Sequence, residues 1–178
     1  FREKSTVPKY LLQGAIFPAK RQGVSGSKEC CIKTFEGQEV LVQHQGFTQF
    51  DLAVSLAYKK IINQHQGFYN VNFSIVDFAK ALNRKDGGKT RDLILAAFDR
   101  SNKFHLCLEF QHGLFEGYRL NSFEETQKGK FKVSFNMDYL SMVYDDYDTC
   151  DIDIDIDMFL SLKIGLQSWL YGFICSVP

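Results

Sequence analysis

The chain has 178 residues, 45 % of them hydrophobic and only three of them prolines, which excludes a disordered polypeptide. No apolar run approaches the roughly 20 residues that a membrane span requires, so no membrane is expected as a partner. The formal net charge is zero, yet residues 1–103 carry 16 Lys/Arg against 9 Asp/Glu, and residues 104–178 carry 5 against 12. This split predicts a basic face for a polyanion and an acidic segment elsewhere.

The cysteines and histidines do not form a recognisable site. The five cysteines are an odd number without a CxxC pair, and the four histidines lack metal-ligand spacing with them. Free thiols in a reducing cytoplasm are therefore predicted. Neither a GxSxG nucleophile motif nor a complete P-loop occurs. We expect a cytoplasmic protein that is not an enzyme and has no catalytic residues, no cofactor and no metal.

Three amphipathic helices are predicted in a row. The first begins with Thr48 followed by Asp51, and the second begins with Ser74 followed by Asp77. A hydroxyl N-cap with an acid three residues later satisfies the free amides of a first helical turn. The third helix follows the helix-breaking stretch 85–88, which contains two glycines. The predicted helices cover about 48–63, 75–83 and 90–102.

Strands are predicted on both sides of these helices, where apolar and polar residues alternate. An N-terminal β-hairpin turns near Glu36-Gly37, after a basic arm over residues 1–28. A second hairpin has its polar tip at residues 124–129, where Glu124-Glu125 makes the tip acidic. The predicted strands cover 31–35, 39–43, 68–73, 104–110, 114–123 and 130–135, and a helical turn is predicted over 136–144.

An acidic run follows, with seven aspartates in residues 144–157. Strict alternation of Asp and Ile over 151–157 would place carboxylates on one face of a strand, while an acidic loop remains the alternative. A calcium-binding EF-hand loop is not expected, because Ile156 and Leu162 occupy the places of its glycine and its glutamate. Residues 158–175 are predicted to form one apolar helix.

The order helix, helix, turn, helix and β-hairpin is typical of a winged-helix DNA-binding module. We predict an α+β fold with a three-helix bundle, a β-hairpin wing and an extra N-terminal β-hairpin. DNA affinity rests largely on Lys and Arg at phosphates, and a recognition helix enters the groove with its N-terminal residues. Contacts with the groove or its phosphates are predicted for Lys89, Thr90 and Arg91, and backbone contacts for Arg84, Lys85, Arg100 and Lys103.

Element order and apolar positions over about residues 10–175 carry a resemblance to a known family. The matching stretches are LQGAIF at 12–17, VLVQHQG at 40–46, FDLAVSLAY at 50–58, FSIVDFAKAL at 73–82, and residues 90–104 with the strands after them. In these features the chain resembles the TrfA-type initiators of plasmid replication, which are iteron-binding Rep proteins.

The resemblance implies two winged-helix domains in tandem that bind repeated sites at a plasmid origin and recruit host replication proteins. It implies a fragment with four parts: an N-terminal arm at 1–28, a winged-helix domain at 29–143, an acidic strand or linker at 144–157, and the opening helix of a second, truncated winged-helix domain at 158–178. The expected partners are double-stranded plasmid origin DNA, a host replication initiator, helicase or sliding clamp, and a second copy in a homodimer.

Three alternatives remain open at this point. A winged-helix transcription regulator would share the fold. A dimerisation or protein-interaction module without DNA contact is favoured by the neutral total charge, whereas the basic first part of the chain favours DNA. A metal-dependent nuclease would use the aspartate run, but two-metal catalysis needs carboxylates that converge from different elements.

Overall fold

The computed structural model of the protein describes residues 4–8, 12, 17, 28–33, 39–44, 47–65, 70–103, 105–110, 113–139 and 151–177. The helices and strands within these ranges are numbered here in chain order. They are β1 (Lys4–Pro8), β2 (Lys28–Lys33), β3 (Glu39–His44), α1 (Gln49–His65), β4 (Asn70–Ser74), α2 (Ile75–Ala81), α3 (Gly88–Lys103), β5 (His105–Phe110), β6 (Gly113–Tyr118), β7 (Leu120–Gln127), β8 (Lys130–Phe135), β9 (Asp151–Asp155), α4 (Ile156–Ser161) and α5 (Leu166–Ser176).

Alternation of apolar and polar residues builds an antiparallel sheet in the order β4-β8-β7, which packs against α3. Along β8, Phe131, Val133 and Phe135 are buried and the intervening residues are not. Phe98 of α3 stacks on Phe73 of β4 and on Phe123 of β7, with ring centroids 5.4 Å and 4.9 Å apart. This aromatic layer joins the three helices to the wing hairpin β7–β8, and the predicted α+β winged-helix fold is confirmed.

The caps predicted for the first two helices are present. The Asp51 carboxylate accepts from both the N–H and the hydroxyl of Thr48, and the Thr48 Oγ1 accepts from the Phe50 N–H. Ser74 Oγ accepts from the Asp77 N–H at 3.1 Å. The acids therefore fix the first turns of α1 and α2.

The N-terminal hairpin β2–β3 joins β5 and β6 in a four-stranded antiparallel sheet, β2-β3-β5-β6. The single strand predicted over 114–123 is wrong, because the chain leaves this sheet at Arg119 and continues as β7 in the sheet of the wing. The Arg119 side chain is buried. Its guanidinium lies over the rings of Phe17, Phe47 and Tyr139, at 5.6, 5.4 and 5.2 Å from their centroids.

Residues 151–155, in which aspartate and isoleucine alternate, form a strand and not the acidic loop that was the alternative. β9 pairs antiparallel with β1, with Lys4 opposite Asp155. Ile154 is buried and Asp153 is exposed, as the alternation requires. Asp155 then caps α4 by accepting from the Met158 N–H at 2.8 Å.

The single helix predicted over 158–175 is wrong, because α4 ends at Ser161 and α5 begins at Leu166. Gly165 between them has φ 124°, a conformation that interrupts a helix and that side chains rarely adopt. The turn predicted near Glu36-Gly37 and residues 140–144 of the predicted helical turn lie outside the described residues. The domain boundaries predicted at 28, 143 and 157 stay predictions. Among the helices described, none has the length and apolar character needed to span a membrane.

Candidate nucleic-acid interface

The turn between α2 and α3 sets the direction of the third helix. Asn83 has φ 54°, and the N–H groups of Asn83 and Arg84 donate to the carbonyls of Lys80 and Ala79. These two bonds form a Schellman motif with asparagine in the left-handed position, which ends a helix sharply. The sequence placed the end of the second helix at residue 83, and the motif ends α2 at Ala81.

Two lysines at the start of α3 are free to meet a polyanion. Lys85 and Lys89 are exposed, and neither forms an ion pair with any residue that the structure describes. Between them, a Cβ added at Gly87 or Gly88 would meet no atom within 4 Å, so the backbone itself is open to a ligand. The first turn of α3 carries no acid, and the Asp86 carboxylate just before it accepts from the Gly87 N–H.

Arg91 is held by a neighbouring carboxylate. Its Nε donates to Asp86 Oδ1 at 2.8 Å and its Nη2 to Asp86 Oδ2 at 2.7 Å, a bidentate pair at the surface. This hydrogen bond lowers the pKa of the Asp86 carboxyl and raises that of the Arg91 guanidinium. The pair occupies Nε and one N–H of Nη2, so Arg91 would bind a phosphate through its remaining N–H groups or after it exchanges this partner. Thr90 beside it is half-buried.

The other three predicted contact residues have partners within the fold. Arg100 donates from Nε to Asp51 Oδ1 and forms an ion pair with this carboxylate, and Arg84 lies 5.0 Å from the centroid of the Phe50 ring. Both arginines therefore join the helix-turn-helix to α1. Lys103 pairs with Asp99 one turn earlier on the exposed face of α3, at 2.8 Å. Their predicted contacts with a DNA backbone stay predictions.

The wing contributes cations that the sequence-based set of contact residues omits. Lys128 and Lys130 are exposed and flank Gly129, whose φ of 74° makes the turn of the hairpin. At the predicted acidic tip the Glu125 carboxylate binds the backbone of the hairpin turn, because the Gly129 N–H donates to Glu125 Oε1 at 2.7 Å. Glu124 pairs in register with Lys132 on β8. The alternation KGKFK at 128–132 was the signal for a basic wing.

The wing is fixed to the helix-turn-helix by a backbone hydrogen bond. The Ile75 N–H at the start of α2 donates to the Gly129 carbonyl at 3.0 Å. The wing turn and α2 therefore hold a fixed relative position. No group of three His, Cys, Asp or Glu side chains in the described ranges could hold a metal ion.

The comparison with solved structures finds the same fold in two crystal structures of RctB. Crystal structures of domains 2 and 3 of RctB match with TM-scores of 0.64 and 0.55, at 16 % and 13 % sequence identity. The first match covers 96 % of this chain and 71 % of that chain, and the second covers 86 % and 61 %. No family model and no curated protein matches the sequence. At this identity the likeness establishes the fold.

Proposed function

We propose that the chain is a DNA-binding replication initiator, and more specifically a plasmid initiator that binds repeated origin sites and recruits host replication proteins. The observation that carries this proposal is that Lys85, in the turn before the third helix of a winged helix, and Lys89, in its first turn, are exposed and form no ion pair with a described residue. The matched fold belongs to RctB, which is itself a replication initiator. The chain would act in the cytoplasm, without catalysis of its own.

The geometry divides the predicted contacts into two groups. Lys85, Lys89 and the wing lysines Lys128 and Lys130 present charge to solvent and would contact phosphates directly. Arg91 would contact a phosphate through its remaining N–H groups or after its release from Asp86. Thr90, in the same turn of α3, would also contact the DNA. Host replication proteins and a second copy of the chain are proposed as further partners.

The test is fluorescence anisotropy with random duplex DNA over a series of salt concentrations, followed by selection of bound duplexes from a random library. Each phosphate that a lysine neutralises contributes about 0.9 to the magnitude of the slope of log affinity against log salt concentration. In the variant Lys85→Gln/Lys89→Gln the magnitude of this slope should therefore fall by about 2. The matched control is Lys163→Gln, an exposed lysine between α4 and α5. An unchanged slope in the double variant would overturn the proposal.

A second candidate function, a protein-interaction module, is favoured by α5. Leu166, Leu170 and Ile174 follow one another at intervals of four residues and therefore share one helix face. They are 62 %, 41 % and 67 % exposed, an apolar stripe that a soluble surface rarely leaves uncovered. Absence of DNA binding at low salt, together with self-association, would favour this candidate. A winged-helix transcription regulator would bind DNA equally well. The DNA sequence that is selected from the random library would distinguish it from a replication initiator.

A further inference from the structure

β4 lies at the edge of the wing sheet. Of the strands that the structure describes, only β8 pairs with it. In an antiparallel ladder, residues alternate between those that bond to the neighbour and those whose N–H and C=O point away. The bond from Ile75 N–H to Gly129 C=O continues the register of β4 with β8 and fixes this alternation.

The alternation can be counted back along β4 from Ile75. Phe73 and Val71 are two and four residues earlier, so they bond to β8 opposite Phe131 and Val133. Asn72 lies between them, and its backbone N–H and C=O therefore point to the outer edge. A sheet edge of this kind is a template for a further strand.

This edge opens into a groove of about 920 Å³. Asn72, Phe73 and Ser74 of β4 contribute one side of the groove. The other walls come from α1, α2 and the wing. Each of these three walls contributes one lysine: Lys60, Lys80 and Lys130 respectively.

Three lysines and one acid, Asp77, line the groove, so its net charge favours carboxylates. Lys60 already binds one, since its Nζ lies 2.5 Å from Asp157 Oδ1 at the start of α4. Lys80 Nζ lies 3.6 Å from Asp77 Oδ1, and both side chains are about 70 % exposed. Solvent therefore screens this ion pair strongly. Lys130 is exposed and forms no ion pair with a described residue. Two of the three lysines can thus accept a new acidic partner.

We propose that this groove is a docking site for an extended acidic peptide of a partner protein, which adds a strand to β4 and places its acidic side chains on Lys80 and Lys130. Strand addition of this type obtains affinity from backbone hydrogen bonds and selectivity from side-chain pockets. Nucleic acid fits less well, because a phosphodiester backbone has no N–H to donate to the outward carbonyl of Asn72. The DNA-binding proposal rests on Lys85 and Lys89, which lie outside the groove, and the two proposed sites share only Lys130.

The test uses the full chain and a fluorescein-labelled peptide in which aspartate alternates with valine. Binding is followed by fluorescence anisotropy, and the amide signal of Asn72 is followed by NMR. Lys130→Glu should weaken binding about tenfold, since it replaces an attractive pair with a repulsive one. Lys128→Glu is the matched control, because it makes the same charge change on the same hairpin outside the groove. Lys80→Glu replaces Lys130→Glu if the latter does not fold.

Two peptide controls separate charge from strand pairing. A peptide with asparagine for aspartate, and one N-methylated at alternate residues, should both lose binding. Equal weakening by Lys128→Glu and Lys130→Glu would overturn the proposal, because it would indicate general surface charge. Retention of affinity by the N-methylated peptide would overturn strand addition. Absence of peptide binding, with duplex DNA binding that requires Lys130, would assign the groove to nucleic acid instead.

Discussion

Arg100 of α3 donates from Nε to Asp51 Oδ1 at the start of α1, and its Nη2 lies 2.8 Å from the same oxygen. The Asp51 side chain has no exposed surface there. The same carboxylate accepts from both the N–H and the hydroxyl of Thr48 at 2.7 Å. One buried acid therefore caps the first helix and anchors the third. This arrangement gives Arg100 a structural role that is separate from DNA.

Removal of this cation should destabilise the fold. Arg100→Met leaves the Asp51 carboxylate buried without its charged partner, and the free energy of unfolding should fall by about 3 kcal/mol. Urea titration followed by circular dichroism measures the change. Arg100→Met/Asp51→Asn should recover part of the loss, and Lys103→Met, which breaks an exposed pair, should change nothing measurable. Equal stability of Arg100→Met and the wild-type chain would contradict this role.

Release of Arg91 should strengthen DNA binding. In Asp86→Asn the guanidinium loses its bidentate carboxylate partner and becomes available to a phosphate, so duplex affinity at low salt should rise several-fold. Asp99→Asn, which frees Lys103 at the other end of α3, is the comparison. A lower affinity in Asp86→Asn would mean that Asp86 positions Arg91 for binding. Because the pKa of Asp86 is lowered by Arg91, the wild-type pair should persist into mildly acidic buffer.

A buried phenol should make the fold sensitive to alkali. Tyr58 stacks on Phe135 with ring centroids 4.2 Å apart, its hydroxyl has no hydrogen-bond partner among the described residues, and burial raises its pKa. An unfolded tyrosine titrates near pH 10, so the stability linked to this proton is complete below about pH 10 and is lost as the pH rises. Unfolding free energies measured at about pH 9 and pH 11 should therefore differ less in Tyr58→Phe than in the wild-type chain.

The same substitution should not weaken the protein at neutral pH. Phenylalanine fills the same space without an unsatisfied buried hydroxyl, so Tyr58→Phe should stabilise the fold by up to about 1 kcal/mol. Tyr171, whose pKa burial raises to about 12 with a further contribution from Cys175, titrates over the same range. Tyr58→Phe/Tyr171→Phe should accordingly be still less sensitive to alkali than the single variant.

The wing turn requires glycine for its backbone conformation alone. A Cβ at Gly129 would meet no atom within 4 Å, yet φ is 74°, so Gly129→Ala should cost about 1 kcal/mol through strain. Gly88→Ala is the control, since Gly88 is helical and equally open, and alanine there should stabilise slightly. Thermal melting of both variants measures the difference. A Gly129→Ala melting temperature at or above that of the wild-type chain would contradict the strain.

The apolar stripe on α5 should cause concentration-dependent association. Ile174 is 67 % exposed, and burial of such a side chain against a partner contributes about 1.5–3 kcal/mol. Ile174→Glu should shift the chain towards monomer in sedimentation velocity, whereas Met137→Glu, an exposed apolar residue elsewhere, should not. A wild-type chain that stays monomeric at all concentrations would rule out this surface for self-association.

Local signals in the sequence predicted the helix-turn-helix well. The Thr48 and Ser74 caps act within three residues of themselves, and alternation along β8 reports a buried face directly. Interactions between distant residues were not predictable in this way. The Arg100–Asp51 pair spans 49 positions, and the burial of Arg119 depends on rings from three separate parts of the chain. A count of basic residues therefore overestimated the charge available at the candidate interface.

The pairing of β1 with β9 bears on the order of folding. Lys4 lies opposite Asp155, so the two strands join chain segments that are about 150 residues apart. During synthesis β1 emerges early and waits without its partner, and contacts this distant in sequence are slow to form. We therefore expect β1 and β9 to pair late in folding. Their pairing would stabilise a winged helix that has already formed and would not nucleate it.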